Sequence, residues 1–484
     1  MASLNQQPIH HFLFIPLMTR SYLIPFTDLA KALAHHGQQV TIVMTPLNAA
    51  RFSDDYAINF NLNIQFLPLY FPAQVVGLPQ GCEAMDSLPS PDMATKFLQA
   101  SNMLQQPLEK WLQGLDSLSL PSCIISDVCF PWTSILALKF NVSRVVFHTV
   151  SCFTLLCSHN IDHYKVFDER DKSDFEPVLV PDLPDRIEIT KAQLPFFGKN
   201  KALDDSKKVL KQFKEAEASA MAVVVNSFQE LEPGYVKAYQ KFVNNLWCIG
   251  PLCLYNKTTR SEASIDDHES LNWLDSQKPN SVIYVCFGSL CHIFDQQLIK
   301  ETSNCPFIWV IKEGSYTAEL DKWFKEQNFE ERVKGRGLII RGWAPQFQIL
   351  SKPAIGGFIT HCGWNSTLEG IIAGLPLITW PMSNEQFYNE KLIVQVVKIG
   401  VKTGVEKPMK APEVLVKKEE VLKAIKQVID GGEEGEERKK RARKLGEMAK
   451  MAVENGGSSC SNLTSLIHLV SYFNQHRKRH LRHV

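Results

Sequence analysis

Hydrophobic positions follow two different periods near the start of the chain. Residues 9–15 form a short, mostly apolar run that is typical of a buried strand, and residues 22–36 place apolar side chains three and four positions apart, as in a helix that covers a core. Gly37 ends the helical pattern, and residues 39–45 form a second run rich in β-branched side chains. A strand, a helix and a strand in this order predict a right-handed crossover and a parallel sheet.

The same alternation continues along the chain and divides it into two similar halves. Strand-like and helical runs recur up to residue 250, and a second series of strands begins at residue 281. We therefore predict an α/β protein with two doubly wound parallel-sheet domains that enclose a cleft. The predicted boundaries are 1–250 for the first domain, 251–268 for a polar linker, 269–455 for the second domain, 456–475 for a helix that packs back toward the first domain, and 476–484 for a basic, solvated tail.

Composition narrows the classes of function. A hydrophobic content of 45%, a charged content of 21% and a formal charge of +1 predict a globular protein whose partner is a small molecule and not nucleic acid. Residues 1–19 have no basic region, and their apolar run stops at Pro16, so we expect neither a signal peptide nor a membrane span, and a cytoplasmic location. The twelve cysteines lack the paired spacing of metal ligands, which predicts reduced thiols and no metal site.

Ligands of open parallel sheets bind beyond the carboxyl ends of the strands. In this chain those positions follow Ile15, Ile125, Phe287 and Thr360. None of them carries a G-x-G-x-x-G fingerprint or a Walker loop, so NAD and ATP are not the expected ligands.

The segment 356–369 reads as a buried strand, a tight glycine turn and a helix that starts near Asn365. N–H groups at such a helix start bind anions, and His361 and Ser366 add donors, so a diphosphate fits this position. Ser366 and Glu369 also have the spacing of a capping box, which would satisfy the helix start without a ligand. The segment alone leaves both interpretations open.

Three motifs together point to a known family. They are Trp343-Ala344-Pro345-Gln346, the run from His361 to Glu369, and Glu385-Gln386. Their combination resembles the signature box of plant secondary-product UDP-dependent glycosyltransferases, which belong to glycosyltransferase family 1. Residues 184–190 and 285–289 also resemble segments of that family, so the resemblance covers nearly the whole chain. It implies the GT-B fold, in which two Rossmann-like domains face a cleft.

The resemblance also implies roles for single residues toward a UDP-sugar co-substrate. An aromatic face and a carboxylate suit a base and a ribose. By this resemblance Trp343 stacks on uracil, Gln346 contacts its edge, Glu369 holds the ribose hydroxyls, His361, Gly363, Asn365 and Ser366 bind the diphosphate, Ser289 lies in the donor-side loop, and Trp364, Glu385 and Gln386 meet the sugar. A closing glutamine is associated with glucose donors in the family, and no metal or further cofactor is implied.

The reaction centre departs from the family pattern. Inverting transfer needs a base that takes the proton of the acceptor hydroxyl, and in the family this base is a histidine in a G-H-x-x-P turn, oriented by an aspartate. The aspartate matches Asp127, but Ser21 and Tyr22 stand at the Gly-His positions. A phenol is mostly protonated at neutral pH and is a poor base. Of the remaining histidines, only His148 is expected near the acceptor pocket.

Two routes can compensate for the missing histidine. Asp127 can itself act as the base, or the acceptor can be acidic enough to need none, as a carboxylic acid is. A second departure from the family is the short crossover between Gly288 and Pro306, which still allows a parallel connection.

Three functions are compatible with these residues. The leading one is an inverting UDP-glycosyltransferase that uses UDP-glucose or a similar UDP-sugar, has altered base chemistry, and acts on a small hydrophobic plant metabolite. The alternatives are an impaired or repurposed UDP-sugar-binding homologue, and an enzyme that uses the acceptor cleft for chemistry other than sugar transfer.

Overall fold

Two parallel β-sheets form the centre of the protein, one in each half of the chain. The computed structural model describes residues 8–55, 62–167, 173–195, 202–256, 265–288, 305–311, 318–408 and 416–481. The strands in the middle of each sheet are almost entirely buried, because helices cover both faces of the sheet, and this explains why they read as continuous apolar runs in the sequence. One edge strand of each sheet is partly exposed.

The first sheet has seven parallel strands in the order β3-β2-β1-β4-β5-β8-β9. In chain order these strands are β1 His11–Ile15, β2 Gln39–Met44, β3 Ile64–Pro68, β4 Cys123–Ser126, β5 Ser143–His148, β8 Ala222–Val225 and β9 Leu246–Cys248. A separate antiparallel pair, β6 Val178–Leu179 and β7 Glu188–Ile189, lies between them in the sequence.

The second sheet has six parallel strands in the order β12-β11-β10-β13-β14-β15. The strands are β10 Val282–Cys286, β11 Phe307–Ile311, β12 Gly337–Arg341, β13 Ile355–Thr360, β14 Leu377–Thr379 and β15 Gly400–Lys402. In both sheets the strand order reverses beside the first strand, between β1 and β4 and between β10 and β13. These are the topological switch points at which ligands bind in open α/β sheets.

The described helices connect the strands and cover the sheets. They are α1 Arg20–His35, α2 Pro46–Asp55, α3 Ala94–Asn102, α4 Gln105–Gln113, α5 Thr133–Lys139, α6 Cys152–His163, α7 Ala202–Ala218, α8 Pro233–Tyr239, α9 Ile265–Asp275, α10 Ala318–Glu326, α11 Phe329–Val333, α12 Gln346–Leu350, α13 Trp364–Ile372, α14 Gln386–Lys391, α15 Lys418–Ile429, α16 Gly432–Val453 and α17 Ser458–Leu481. The predicted fold class, α/β with two doubly wound parallel sheets, is confirmed.

The connections between the halves differ in detail from the predicted boundaries. A 3-10 turn, Leu252–Asn256, and the start of α9 at Ile265 both fall inside the predicted linker 251–268, whose residues 257–264 lie outside the described part. The short crossover after Gly288 also falls largely outside the described residues. One buried apolar cluster contains side chains of both halves, among them Phe153, Tyr284 and Trp364, so the halves share a packed interface.

The C-terminal helix is longer than predicted. In place of the predicted solvated tail from residue 476, α17 continues to Leu481, and its residues up to Arg477 contact the first domain. Asn474 Nδ2 donates to Ser122 Oγ at 3.2 Å, and the Arg477 guanidinium, 7% exposed, donates to the carbonyl oxygen of Pro121 at 3.0 Å. A basic residue near a chain end predicts a solvated side chain, whereas Arg477 is buried and its guanidinium donates to a backbone carbonyl.

Within the described ranges, no helix is both long and apolar enough to cross a membrane. The same ranges hold no group of three or more His, Cys, Asp or Glu side chains arranged to bind a metal ion.

Replacing Arg477 by Ala should destabilise the protein by about 1–3 kcal/mol, because it leaves the buried carbonyl of Pro121 without a donor. The free energy of unfolding, measured with urea, tests this. The matched control is Arg186→Ala, since Arg186 is 75% exposed in its pair with Glu188 and should contribute less than about 0.5 kcal/mol. Equal effects of the two substitutions would contradict the assigned contact.

Candidate donor site and reaction centre

A tight turn joins β13 to α13 and leaves the start of the helix uncapped. Cys362 has a φ of 65°, in the left-handed region, and its carbonyl oxygen accepts a hydrogen bond of 2.8 Å from Asn389 Nδ2. The N-cap residue is Gly363, which has no side chain to cap the helix. The first-turn N–H groups of an α-helix have no acceptor within the helix, so this turn presents them to an anion.

The capping-box interpretation of Ser366 and Glu369 is wrong. That motif needs Ser366 at the N-cap, whereas α13 begins at Trp364 and Ser366 lies in its first turn. The Glu369 carboxylate accepts a hydrogen bond of 2.6 Å from Gln346 Nε2.

His361 is held between two glycines. A Cβ atom added to Gly288 would lie 2.5 Å from His361 Nε2, and one added to Gly363 would lie 2.3 Å from the same atom. Gly288 also has a φ of +77°, which few other residues adopt. Any side chain at either position would therefore displace the imidazole, and the two glycines fix the ring beside the start of α13.

Gln346, Ser366 and Glu369 form one hydrogen-bonded group. Gln346 Nε2 donates to Ser366 Oγ at 3.1 Å as well as to Glu369, and Gln346 Oε1 accepts from the Tyr284 hydroxyl at 3.4 Å. The structure thus joins three of the predicted donor-site residues although α12 and α13 are separated by β13. Trp343, just before α12, is 55% exposed, which leaves its ring open to stacking. Ser289 lies outside the described residues.

Glu385 and Gln386 stand at the start of α14. Gln386 is buried, and its Oε1 accepts hydrogen bonds from the backbone N–H groups of Met382 at 2.8 Å and Ser383 at 3.0 Å. These two bonds fix the orientation of the amide and leave its NH2 group as the donor for a ligand. Burial raises the pKa of Glu385 above its ordinary value.

Trp364 and Asn365 reach from the first turn of α13 to the first domain. Trp364 is 2% exposed, and its Nε1 donates to the backbone carbonyl of Asn226 at 2.7 Å. Asn365 Nδ2 donates to the backbone carbonyl of Ser21 at 2.8 Å. Both side chains therefore bridge the domains, and the predicted contacts of Trp364 with the sugar and of Asn365 with the diphosphate stay predictions.

The reaction centre brings Tyr22 close to Asp127. Tyr22 lies in the first turn of α1, after β1, and Asp127 follows β4, the neighbouring strand. Asp127 is 1% exposed, donates its N–H to the Ile15 carbonyl at 3.0 Å, and accepts the Cys129 N–H on Oδ1 at 2.8 Å. Tyr22 is partly buried and lies close enough to Asp127 for the two groups to interact electrostatically.

Burial and negative charge dominate the titration of this centre. Burial raises the pKa of Tyr22 well above its ordinary value, and the acidic groups of Asp127, Cys129 and Glu385 raise it further, against a hydrogen bond with Thr149. Burial also raises the pKa of Asp127, although hydrogen bonds from Cys129 and the charge of His148 act in the opposite direction. Tyr22 is therefore protonated at neutral pH, and Asp127 is a stronger base than a solvated aspartate.

His148 is engaged elsewhere. Its Nε2 is hydrogen-bonded to Glu217 Oε1, and Glu217 Oε2 accepts the Tyr239 hydroxyl at 3.1 Å. His148 lies close enough to Asp127 to influence its charge, as expected, but its side chain is only 7% exposed and is held by this pair. It therefore does not replace the missing histidine base.

Sequence reasoning missed several residues that hold the site together. Thr149 follows β5, so the rule about carboxyl strand ends would have found it, and Cys129 forms an Asx-type turn with Asp127. No sequence pattern indicated a role for Asn226 or Asn389, because their contacts join segments that are far apart in the sequence.

Comparison with known proteins agrees with this arrangement. Residues 266–448 match the family model described as UDP-glucoronosyl and UDP-glucosyl transferase. UDP-glycosyltransferase 73C3 of Arabidopsis thaliana is 46% identical over 479 residues, which cover 95% of this chain and 96% of that protein. UDP-glycosyltransferase 73C12 of Barbarea vulgaris is 45% identical, with 94% of this chain and 95% of that protein covered.

Solved structures show the same likeness in three dimensions. UGT73P12 of Glycyrrhiza uralensis, in complex with glycyrrhetinic acid 3-O-monoglucuronide, is 34% identical and superposes with a TM-score of 0.86 over 98% of each chain. UGT89C1 of Arabidopsis thaliana, in complex with UDP-L-rhamnose, is 27% identical with a TM-score of 0.73 and covers 96% of this chain and all of its own. Since this likeness spans both domains, the chain belongs to the plant UDP-glycosyltransferase family, is an enzyme of the UGT73 type, and has the GT-B fold.

Proposed function

We propose that this enzyme transfers glucose from UDP-glucose, with inversion, to a neutral hydroxyl group of a small hydrophobic plant metabolite. The observation that carries the proposal is that the first turn of α13, beside the bonded group of Gln346, Ser366 and Glu369, contacts the residue before Tyr22 through the hydrogen bond from Asn365 to the Ser21 carbonyl. A nucleoside diphosphate bound at this turn directs its sugar toward Tyr22.

The orientation of Gln386 supports a hexose donor. Its amide oxygen is occupied by two backbone N–H groups, so its NH2 can donate to sugar hydroxyls, while the neighbouring Glu385 carboxylate can accept from them. The closing glutamine is the family pattern associated with glucose.

The charges of the reaction centre favour a neutral acceptor over a carboxylic acid. The carboxyl groups that influence Tyr22 electrostatically are those of Asp127 and Glu385, and the nearby His148 is paired with Glu217. A carboxylate acceptor would meet like charges in a partly buried site, where repulsion is weakly screened. Of the two routes around the missing histidine, a neutral hydroxyl with Asp127 as base is therefore preferred.

Tyr22 acts as a relay in this proposal. Asp127 is 1% exposed, and in this proposal the Tyr22 phenol, which can donate and accept at once and lies close enough to interact with the aspartate electrostatically, links it to the acceptor hydroxyl. The acceptor oxygen attacks the anomeric carbon, its proton passes to Tyr22 Oη, the phenolic proton passes to Asp127, and the bond from the anomeric carbon to UDP breaks. UDP leaves as an anion and needs no acid.

The direct test is to incubate the protein with UDP-glucose and a panel of phenols, aliphatic alcohols and carboxylic acids while UDP release and product mass are measured. Because UGT73P12 binds glycyrrhetinic acid 3-O-monoglucuronide, that compound belongs in the panel. Transfer to hydroxyl acceptors supports the proposal. Transfer to carboxylic acids alone would refute the neutral acceptor, and release of UDP without any glucosylated product would refute transfer.

Glu369→Ala should weaken UDP binding by about 1–3 kcal/mol, because it removes a charge-assisted acceptor at the proposed ribose position. Isothermal titration calorimetry measures the loss. The melting temperature should change little, since Glu369 does not cap α13. Glu331→Ala, an exposed glutamate of the same domain, is the control and should leave UDP affinity unchanged. Unchanged affinity of the folded Glu369→Ala protein would remove Glu369 from the donor site.

The pH profile should report the ionisation of Asp127. Because burial raises its pKa, kcat/KM for a neutral acceptor should fall as the pH drops through a value above that of a solvated aspartate, and should level off at higher pH. Asp127→Asn should lose this acid limb and about 10²- to 10⁴-fold in rate. Asp116→Asn, at an exposed turn, is the control. An unaltered profile in Asp127→Asn would show that another group is the base.

Tyr22→His should raise the rate on neutral hydroxyl acceptors by about 10²-fold or more, because an imidazole titrates near neutral pH and a phenol does not. Initial rates with saturating UDP-glucose measure the gain, and Ser21→Gly combined with Tyr22→His restores the full family turn. Tyr22→Phe is the matched control, which keeps the ring but removes the relay hydroxyl and should fall below wild type. The relay is wrong if Tyr22→Phe keeps the wild-type rate.

A further inference from the structure

The side chain of Trp364 lies in the junction of the two domains. Its indole is 2% exposed, and Nε1 donates to the backbone carbonyl of Asn226 at 2.7 Å, across a separation of 138 residues in the sequence. Trp364 is also the first residue of α13, whose N–H groups form the proposed diphosphate site. The backbone of Trp364 thus belongs to the proposed diphosphate site in the second domain, while its side chain is hydrogen-bonded to the first domain.

Asn226 contacts the segment at which the chain leaves the first domain, after β9. Its Oδ1 accepts the N–H of Leu252 at 3.1 Å, and the Gly250 N–H donates to the carbonyl of the adjacent Ser227 at 2.8 Å. A Cβ on Gly250 would lie 2.4 Å from Asn226 Oδ1, so only glycine fits this approach. The C-terminal helix joins here too, since Ser459 Oγ donates to the Gly250 carbonyl at 2.5 Å.

Asn226 is also connected to the reaction centre through its backbone N–H group. Its N–H donates to the carbonyl of His148 at 2.9 Å, and His148 lies close enough to influence the charge of Asp127. A continuous path of hydrogen bonds and backbone therefore connects the first turn of α13 with the end of β5. Because a buried indole N–H is costly to leave unpaired, the relative position of the domains that satisfies it is favoured.

We propose that the Trp364 indole is a positioning residue that holds α13 in register with the first domain through Asn226, so that the sugar carried by α13 faces the acceptor. The tryptophan contributes to transfer by fixing the domains, and the donor is bound by other groups of the same turn.

The chain offers a matched control for this role. Trp380, at the end of β14 in the same domain, is also 2% exposed, but its Nε1 has no hydrogen-bond partner among the described residues. Trp364→Phe and Trp380→Phe both replace a buried indole by a phenyl ring, and only the first removes a hydrogen bond between the domains. Core packing alone predicts that the two variants behave alike.

The test compares both variants with the wild type in four measurements. Calorimetry with UDP should give unchanged affinity, within about twofold, for both. Turnover with UDP-glucose should show kcat lowered by about 5- to 100-fold in Trp364→Phe, as expected for one lost buried hydrogen bond, and retained in Trp380→Phe. Hydrogen exchange of the peptide that covers residues 250–256 should be faster, and the radius of gyration from X-ray scattering larger, in Trp364→Phe alone.

Two results would overturn the proposal. If the two variants behave alike, Trp364 contributes only core packing. If Trp364→Phe loses UDP affinity tenfold or more, its side chain belongs to the donor site itself. If Trp364→Phe does not fold, β-(3-benzothienyl)alanine at position 364 keeps the bicyclic shape without the N–H group and is subjected to the same criteria. Exchange and scattering need no acceptor, so they remain decisive even if the proposed donor sugar or acceptor is wrong.

Discussion

The whole site is organised around backbone N–H groups that the first turn of α13 cannot satisfy by itself. Gly363 offers no cap, and the left-handed Cys362 turns the chain so that these groups face the cleft. A diphosphate is an acceptor that matches them in charge and number. Other residues fix the geometry around this turn. Two glycines hold His361 beside it, and Asn389 donates to the Cys362 carbonyl. Gln346 donates to both Ser366 and Glu369.

In the proposed function, the second domain supplies most of the groups that recognise the donor, while the first supplies the groups beside the reacting bond. Tyr22 and Asp127 come from the carboxyl ends of adjacent strands, as the topology of a doubly wound sheet requires. Glu385 is the point at which the two sets meet, because its carboxyl group influences Tyr22 from the opposite domain. A substitution in either domain can thus alter the chemistry of the other.

Local patterns predicted most of the fold, because burial of a strand or a helix face leaves a period in the sequence. The roles of the donor-site residues came from the family resemblance and stay predictions. The local patterns predicted two doubly wound sheets and the strand ends that hold Tyr22, Asp127 and His361. They failed where tertiary contacts determine how a helix starts or whether a side chain is buried. Ser366 and Glu369 have the spacing of a capping box, yet Gly363 starts the helix, and Arg477 looks solvated but pairs with a buried carbonyl. The bridge from Trp364 to Asn226 has no local signature at all.

The C-terminal helix completes the first domain with the last part of the chain to be synthesised. Its Asn474 lies within hydrogen-bonding distance of His10, at the opposite end of the described sequence, so the second domain is inserted into a body built from both ends of the chain. Domains generally fold in the order in which the ribosome releases them. Here the first sheet leaves the ribosome early, but the surface around His10 and Ser122 stays uncovered until α17 emerges. The inserted domain, with its helices complete by residue 453, can fold before the domain that precedes it is finished.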